Sequence, residues 1–157
     1  MVRVGTLQED LKQTKPFKCV EEEAYLSIVR TAAVLEHGFS QALKRYRLTP
    51  TQYNVLRMLR GAGSRGLCRH EVGERLVTNV PDVTRLLDRM EDTGLIARER
   101  STSDRRYVTA RIAPRGLEVV NRLDATIAAI HHEQLGHVDK RDLRALVGLL
   151  TTVRTRN

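Results

Sequence analysis

The apolar positions of this chain follow a helical period over most of its length and a two-residue period only once. From about Val20 to Tyr46, Tyr25, Ile28, Val29, Ala32, Leu35, Phe39, Leu43 and Tyr46 recur at spacings of three and four, which predicts one long amphipathic helix containing Gly38. Residues 1–17 before it are polar and predict an arm or a loosely attached short helix. The stretch "LTPTQYNVLRML" predicts a second helix with its start written in. Thr49 is a good N-cap, Pro50 suits the first helical position, and Gln52 completes a capping box. Leu48 and Tyr53 are placed as the hydrophobic staple around that cap, and "GAGSRG" is expected to end the helix at Gly61. A third, short helix over about Arg69–Leu76 would turn Val72 and Leu76 inward.

The stretch "VTNVPDVTRLLDRMEDTG" predicts a fourth helix. Asn79 is its candidate cap, Pro81 falls in the first turn, Asp82 brings negative charge toward the helix N-terminus, and Gly94 supplies the stop. Val83, Leu86, Leu87 and Met90 gather on one narrow face; Pro81, Thr84, Arg85, Asp88 and Arg89 lie opposite. The period then switches to two. Leu95–Arg100 and Arg106–Ala113 predict strands around a polar turn, with Val108, Ala110 and Ile112 on one face and Tyr107, Thr109 and Arg111 on the other. Pro114 opens a further helix, with Leu117, Val120, Leu123, Ile127 and Ile130 along one side. Asp139 caps a last one carrying Leu143, Leu146, Val147, Leu150 and Val153. Helix, helix, short helix, helix, hairpin, helix, helix is the order of a winged helix-turn-helix, mainly α with a small β-hairpin wing.

Composition narrows the partner. A chain of 157 residues is most simply one domain, and its formal charge of +8, with a pI near 10.1, points to an anionic partner. Arginine carries much of the excess, and its planar fork suits phosphates and base edges. With no Trp and only 4% aromatic residues, a base-stacking single-strand platform is disfavoured. No apolar run approaches the roughly 20 residues that span a bilayer, and the N-terminus lacks a signal-peptide core. Two cysteines make neither a disulfide framework nor a zinc set. The expectation is a soluble, cytoplasmic protein with no cofactor. Gly-rich phosphate loops, Gly-x-Ser-x-Gly and metal-binding His-Glu pairs do not occur, so no catalytic residues are assigned.

The major groove, about 12 Å wide, admits one helix. On the fourth helix Thr84 and Arg85 are best placed for base edges, and Arg89 lies nearer the backbone. A strand of five residues reaches about 17 Å, enough for the hairpin to touch the flanking minor groove. There an arginine can enter, held in one rotamer by Asp104. Periodicity also suggests a homodimer, because the first and last two helices carry apolar stripes that the domain between them can only partly cover.

At these residues the chain resembles a known family. "VTRLLDRMEDTGLIARERSTSDRRYVTARIAPRG" is similar to the recognition helix and wing of the multiple antibiotic resistance regulator (MarR) family. "LTPTQYNVLRML" resembles that family's second helix, and "RDLRALVGLLTTVR" its final one. The resemblance covers about residues 20–156. It implies a homodimeric winged-helix transcription factor, usually a repressor, released from a pseudo-palindromic double-stranded DNA operator by a small ligand or an oxidant. The family's wing Asp-x-Arg falls on Asp104 and Arg106, making Arg106 the minor-groove candidate, with Arg105 on phosphate. The implied organisation is an N-terminal arm at 1–17, a first dimerisation helix at 18–48, a DNA-binding domain at 49–113, and dimerisation helices at 114–157. Arg30, His37 and Tyr53 would line the family's usual cavity for a small aromatic or phenolic effector; core packing or surface exposure is the other reading of each.

Other features stay open. Cys68, beside Arg69 and His70 at the start of the third helix, reads either as an oxidant-sensing thiol or as a small residue standing in for a Ser or Thr cap. Peroxide-sensing relatives use a cysteine near the start of the first helix, but Cys19 lies several positions too early. His131, His132 and His137 read as helix-surface residues rather than metal ligands. A basic adaptor that grips an acidic protein through its winged helix is the alternative to a DNA-binding regulator.

Overall fold

The computed structural model describes residues 5–100 and 108–155. The chain divides into two compact units, Met1–Gly38 and Phe39–Asn157. The first unit holds α1 (Leu7–Asp10), closed by a capping box between Thr6 and Glu9, and the first part of α2 (Val20–Lys44). Glu21, Glu22 and Glu23 place negative charge at the positive end of the α2 dipole.

The second unit contains the end of α2, α3 (Pro50–Ala62), α4 (Arg69–Arg75), α5 (Val83–Asp92), α6 (Pro114–Leu135) and α7 (Lys140–Arg154). Its strands are β1 (Leu67–Cys68), β2 (Ile96–Arg100) and β3 (Val108–Ile112). The capping box of α3 forms as its residues imply. The Gln52 N–H donates to Thr49 Oγ1 at 3.2 Å, and the Thr49 N–H donates to Gln52 Oε1 at 3.0 Å. Leu48 and Tyr53, the expected staple, are both buried.

One apolar core organises this unit. Leu56 and Leu59 of α3, Val72 of α4, Met90 of α5, and Val120 and Leu123 of α6 are all fully buried. Arg60 ties α3 to α6 from outside the core, with a two-pronged bond to Asp124 (2.8 and 3.0 Å) and a bond to Asn121 (2.9 Å). That hydrogen-bonded guanidinium lowers the Asp124 pKa from its usual value. Phe39 meets Tyr53 edge-on at 5.6 Å and stacks on His131 at 5.8 Å.

The sheet has the order β1-β3-β2, antiparallel throughout, so the hairpin gains a third strand that the hydrophobic pattern does not announce. Leu67 pairs with Ala110 and Cys68 with Thr109. The approach is close: a methyl group at Gly66, whose φ is +64°, would lie 2.5 Å from the Ala110 carbonyl oxygen. In β2, Ile96 pairs with Ile112 and Arg98 with Ala110, placing Ile96 and Arg98 on one face.

Four positions on the expected apolar stripes of α6 and α7 turn outward. Leu117 is exposed and Gly116 is buried instead, because the first turn of α6 crosses the Leu95 carbonyl so closely that a methyl group would overlap it. On α7, Leu143 and Leu150 are half-buried, whereas Leu146, Val147 and Val153 are exposed, with Leu149 beside them. Among the described residues, no helix is long and apolar enough to cross a membrane.

Candidate nucleic-acid interface

The helix pair α4–α5 is set by short-range polar contacts at each of its joints. Cys68 occupies the N-cap position of α4, and its N–H donates to Glu71 Oε2 at 2.8 Å. Glu71 also takes Arg65 at 2.9 Å and Arg75 at 3.6 Å. The backbone bond, then the Arg65 guanidinium, pull the Glu71 pKa down to about 2. The Cys68 thiol is free and half-buried, in the place where a Ser or Thr cap would stand; Cys19 is free and exposed.

The start of α5 differs from expectation. The cap is Asp82, not Asn79, and Pro81 lies ahead of the helix rather than in its first turn. Asp82 adopts φ −131° and ψ 86°, outside the helical region, and its Oδ1 accepts the Arg85 N–H at 2.9 Å. Proline disfavours helical geometry at the residue before it, Val80, so a helix running back to Asn79 would cost more than a later start. From this start, Leu87 and Met90 are buried and Val83 and Leu86 half-buried, as expected. Pro81, Asp82, Thr84, Arg85 and Arg89 are exposed. Among the described residues neither Arg85 nor Arg89 makes an ion pair. Asp88 is only half-exposed, because Arg98 takes it at 2.7 Å.

The other end of α5 is closed by bonds from outside the helix. Gly94, at φ +69°, lets the Gly94 N–H reach the Glu91 carbonyl (2.8 Å) and the Leu95 N–H reach that of Met90 (2.9 Å), a Schellman termination. Arg115 donates to the Thr93 carbonyl at 2.8 Å. The Arg98 N–H and Nε donate to Glu91 at 3.0 and 2.7 Å. That pairing lowers the Glu91 pKa below its usual value.

The arginine run of the hairpin is therefore not one solvated face. Arg98 is committed to α5, and Arg111 donates to the Ser64 carbonyl at 2.7 Å and pairs with Glu99, while Arg100 is exposed. Asp104, Arg105 and Arg106 lie outside the described residues. Arg115 and Glu91 are contributors that pattern reasoning missed. Glu91 carried a legible signal, since Asp88 and Glu91 share an α5 face and Arg98 shares one with the buried Ile96. Arg115 carried none. Of the effector candidates, Tyr53 is buried in the core of the second unit, and Arg30 and His37 are exposed on α2 in the first. Among the described residues, no three His, Cys, Asp or Glu side chains converge as a metal site.

A capped helix presenting Thr84 and Arg85 outward, behind a short helix and beside a three-stranded wing, defines a winged helix-turn-helix of the DNA-binding class. The MarR family profile matches residues 48–108. An HTH-type transcriptional repressor of Mycobacterium tuberculosis is 31% identical over 102 residues, covering 65% of this chain and 72% of the relative. A MarR transcription factor from Planctomyces limnophilus superposes with a TM-score of 0.67 at 32% identity, over 87% of this chain and 99% of that one. The transcriptional repressor CouR, solved on a 23-mer DNA duplex, superposes at 0.76 and 26% identity, over 91% and 100%. The chain belongs to the MarR family, whose members are DNA-binding transcriptional regulators and not enzymes.

Proposed function

We propose that the protein is a homodimeric repressor that reads a pseudo-palindromic operator with α5 and its wing, and that a small aromatic or phenolic ligand releases it. The observation that carries the reading is the exposed outer face of α5, where Thr84, Arg85 and Arg89 stand opposite the buried Leu87 and Met90. In this reading Thr84 and Arg85 meet base edges, Pro81 and Asp82 border them, and Arg89 meets the backbone. Asp88 belongs to the same DNA-facing set, with its carboxylate paired to Arg98. Asp104 steadies Arg106 in the minor groove, and Arg105 meets phosphate. Repression is supported by the M. tuberculosis relative and CouR, both repressors.

Dimerisation is supported by apolar side chains left exposed on the flanking helices. On α7, Val147, Leu149 and Val153 are 63%, 67% and 61% exposed; on α2, Tyr25, Val29 and Val34 are exposed too. A second copy covering 18–48 and 114–157 would bury them and leave 49–113 for DNA. Two α5 helices about one DNA turn apart would then read half-sites about 10 bp apart. In this reading the protein works in the cytoplasm, alongside the DNA it binds. A ligand held better by the free protein than by the DNA-bound form shifts the equilibrium off the operator; Arg30, His37 and Tyr53 are its candidate contacts.

The test is a mobility shift on DNA upstream of the protein's own gene, with and without phenolic ligands. Specific binding is expected about 10³-fold tighter than to random duplex at about 150 mM salt. Equal affinity for both would sink the operator reading and favour a basic adaptor.

A further inference from the structure

The β2-facing side of α5 carries a charge cluster that base reading alone does not use. Arg98 lies 2.6 Å from Glu91 Oε2 and 2.7 Å from Asp88 Oδ1 through the same Nη2, in addition to the Nε and backbone bonds to Glu91. Asp88 and Glu91 are three residues apart on α5, so one guanidinium braces the last two turns of the helix. Arg98 reaches them because the two-residue period puts it on the same face of β2 as the buried Ile96. Its side chain is 24% exposed.

We propose that Arg98 is a positioning residue for sequence readout: by bracing Asp88 and Glu91 it fixes the angle between α5 and β2, and with it the pose of Thr84 and Arg85 on the base edges. The proposal rests on α5 being the DNA-reading helix. Lever arithmetic gives it weight. A ten-residue helix is about 15 Å long, so a tilt of about 10° at its rear moves its front by about 2.6 Å, against a working tolerance of about 0.5 Å. The same contact holds Glu91 below its ordinary pKa. It also removes a bare carboxylate, Asp88, from a surface that must approach phosphates.

The probe is the tightest duplex that the wild-type protein selects from a randomised pool. Arg98→Gln, and separately the pair Asp88→Asn with Glu91→Gln, are each expected to bind it about tenfold more weakly and to lose preference at all α5-read base pairs together. All three changes combined should lose no more than the worse of the two, because one brace cannot be broken twice. Partial unfolding lowers the active fraction without changing which base pairs are preferred, so the preference profile separates positioning from stability. If Arg98→Gln does not fold, the carboxamide pair makes the same test with Arg98 intact.

Three results would overturn the proposal. One is additive losses. Another is a salt slope lowered by about one in Arg98→Gln, which marks a phosphate contact. The third is Asp88→Asn altering preference at a single base pair, which marks a base contact. A selection in which wild-type protein enriches no sequence fails differently: it removes the DNA-reading role of α5 itself, and the brace with it.

Discussion

The two ends of α5 are held by opposite means. At the front the helix is capped by its own Asp82, and Thr84 and Arg85 stand exposed just beyond. At the rear, bonds arrive from other elements: Arg98 from β2, Arg115 from α6, and the Leu95 N–H across the Gly94 turn. Charge at the rear is neutralised inside the fold, while charge at the front is left for a partner. The net charge of +8 is therefore a poor guide to which arginines face DNA. Arg98 and Arg111 contribute to that total and are spent on intramolecular contacts.

The contrast breaks hardest at Gly116. A methyl group there would overlap the Leu95 carbonyl, a backbone atom that cannot rotate away, so Gly116→Ala must push α6 off the α5 exit. Destabilisation of about 3 kcal/mol is expected in urea unfolding. A change within about 0.5 kcal/mol would show that the rear is not rigid after all. The front should behave oppositely. Arg85→Ala is expected to cost about 1–3 kcal/mol of specific DNA binding and to relax preference at one position, with unfolding essentially unchanged. Unaltered affinity and preference would remove Arg85 from the reading surface.

How much of this was legible depends on how far apart the cooperating residues lie. The α3 start was readable because Thr49, Pro50 and Gln52 satisfy one another within four residues. The winged architecture was readable because the period switches from helical to alternating immediately after Gly94. β1 was not, since two residues show no period and its only signal is pairing with Leu67 and Cys68's partners on β3. Gly116 and Leu117 exchanged places because helical spacing cannot foresee a carbonyl crossing from another element. On α5, residue type alone favoured Asn79 as the cap; the proline between Asn79 and Val83 moved the start to Asp82. Asp88 reads as part of an outward face, and the strand register shows that Arg98 lands beside it.

That revised cap gives the next contrast. Asp82→Ala removes the acceptor for the Arg85 N–H and should cost about 1 kcal/mol of stability, whereas Asn79→Ala should change little. Thermal unfolding of the two variants decides between them. Equal losses would mean that the turn before α5, not its cap, sets where the helix begins.

The smallest expected effect is acid sensitivity confined to the rear. Glu91 has its pKa lowered first by the Arg98 side-chain bond, so its contribution to stability is complete above the ordinary value near 4.5. It is lost as pH falls through the lower, folded-state value, because the unfolded chain then binds the proton more readily. Glu71, pulled down to about 2, and Asp124, also lowered, act in the same direction, so the whole protein loses stability on the acid side. Subtraction isolates the α5 part: melting temperatures of wild type and Arg98→Gln should converge as pH drops below about 4.5 and stay a constant distance apart above it. These groups lie at the surface, where solvent screens their pairing, so the convergence should be modest. Parallel curves down to pH about 2 would mean that Glu91 gains nothing from Arg98, and that the rear of α5 is held by the Gly94 turn and Arg115 alone.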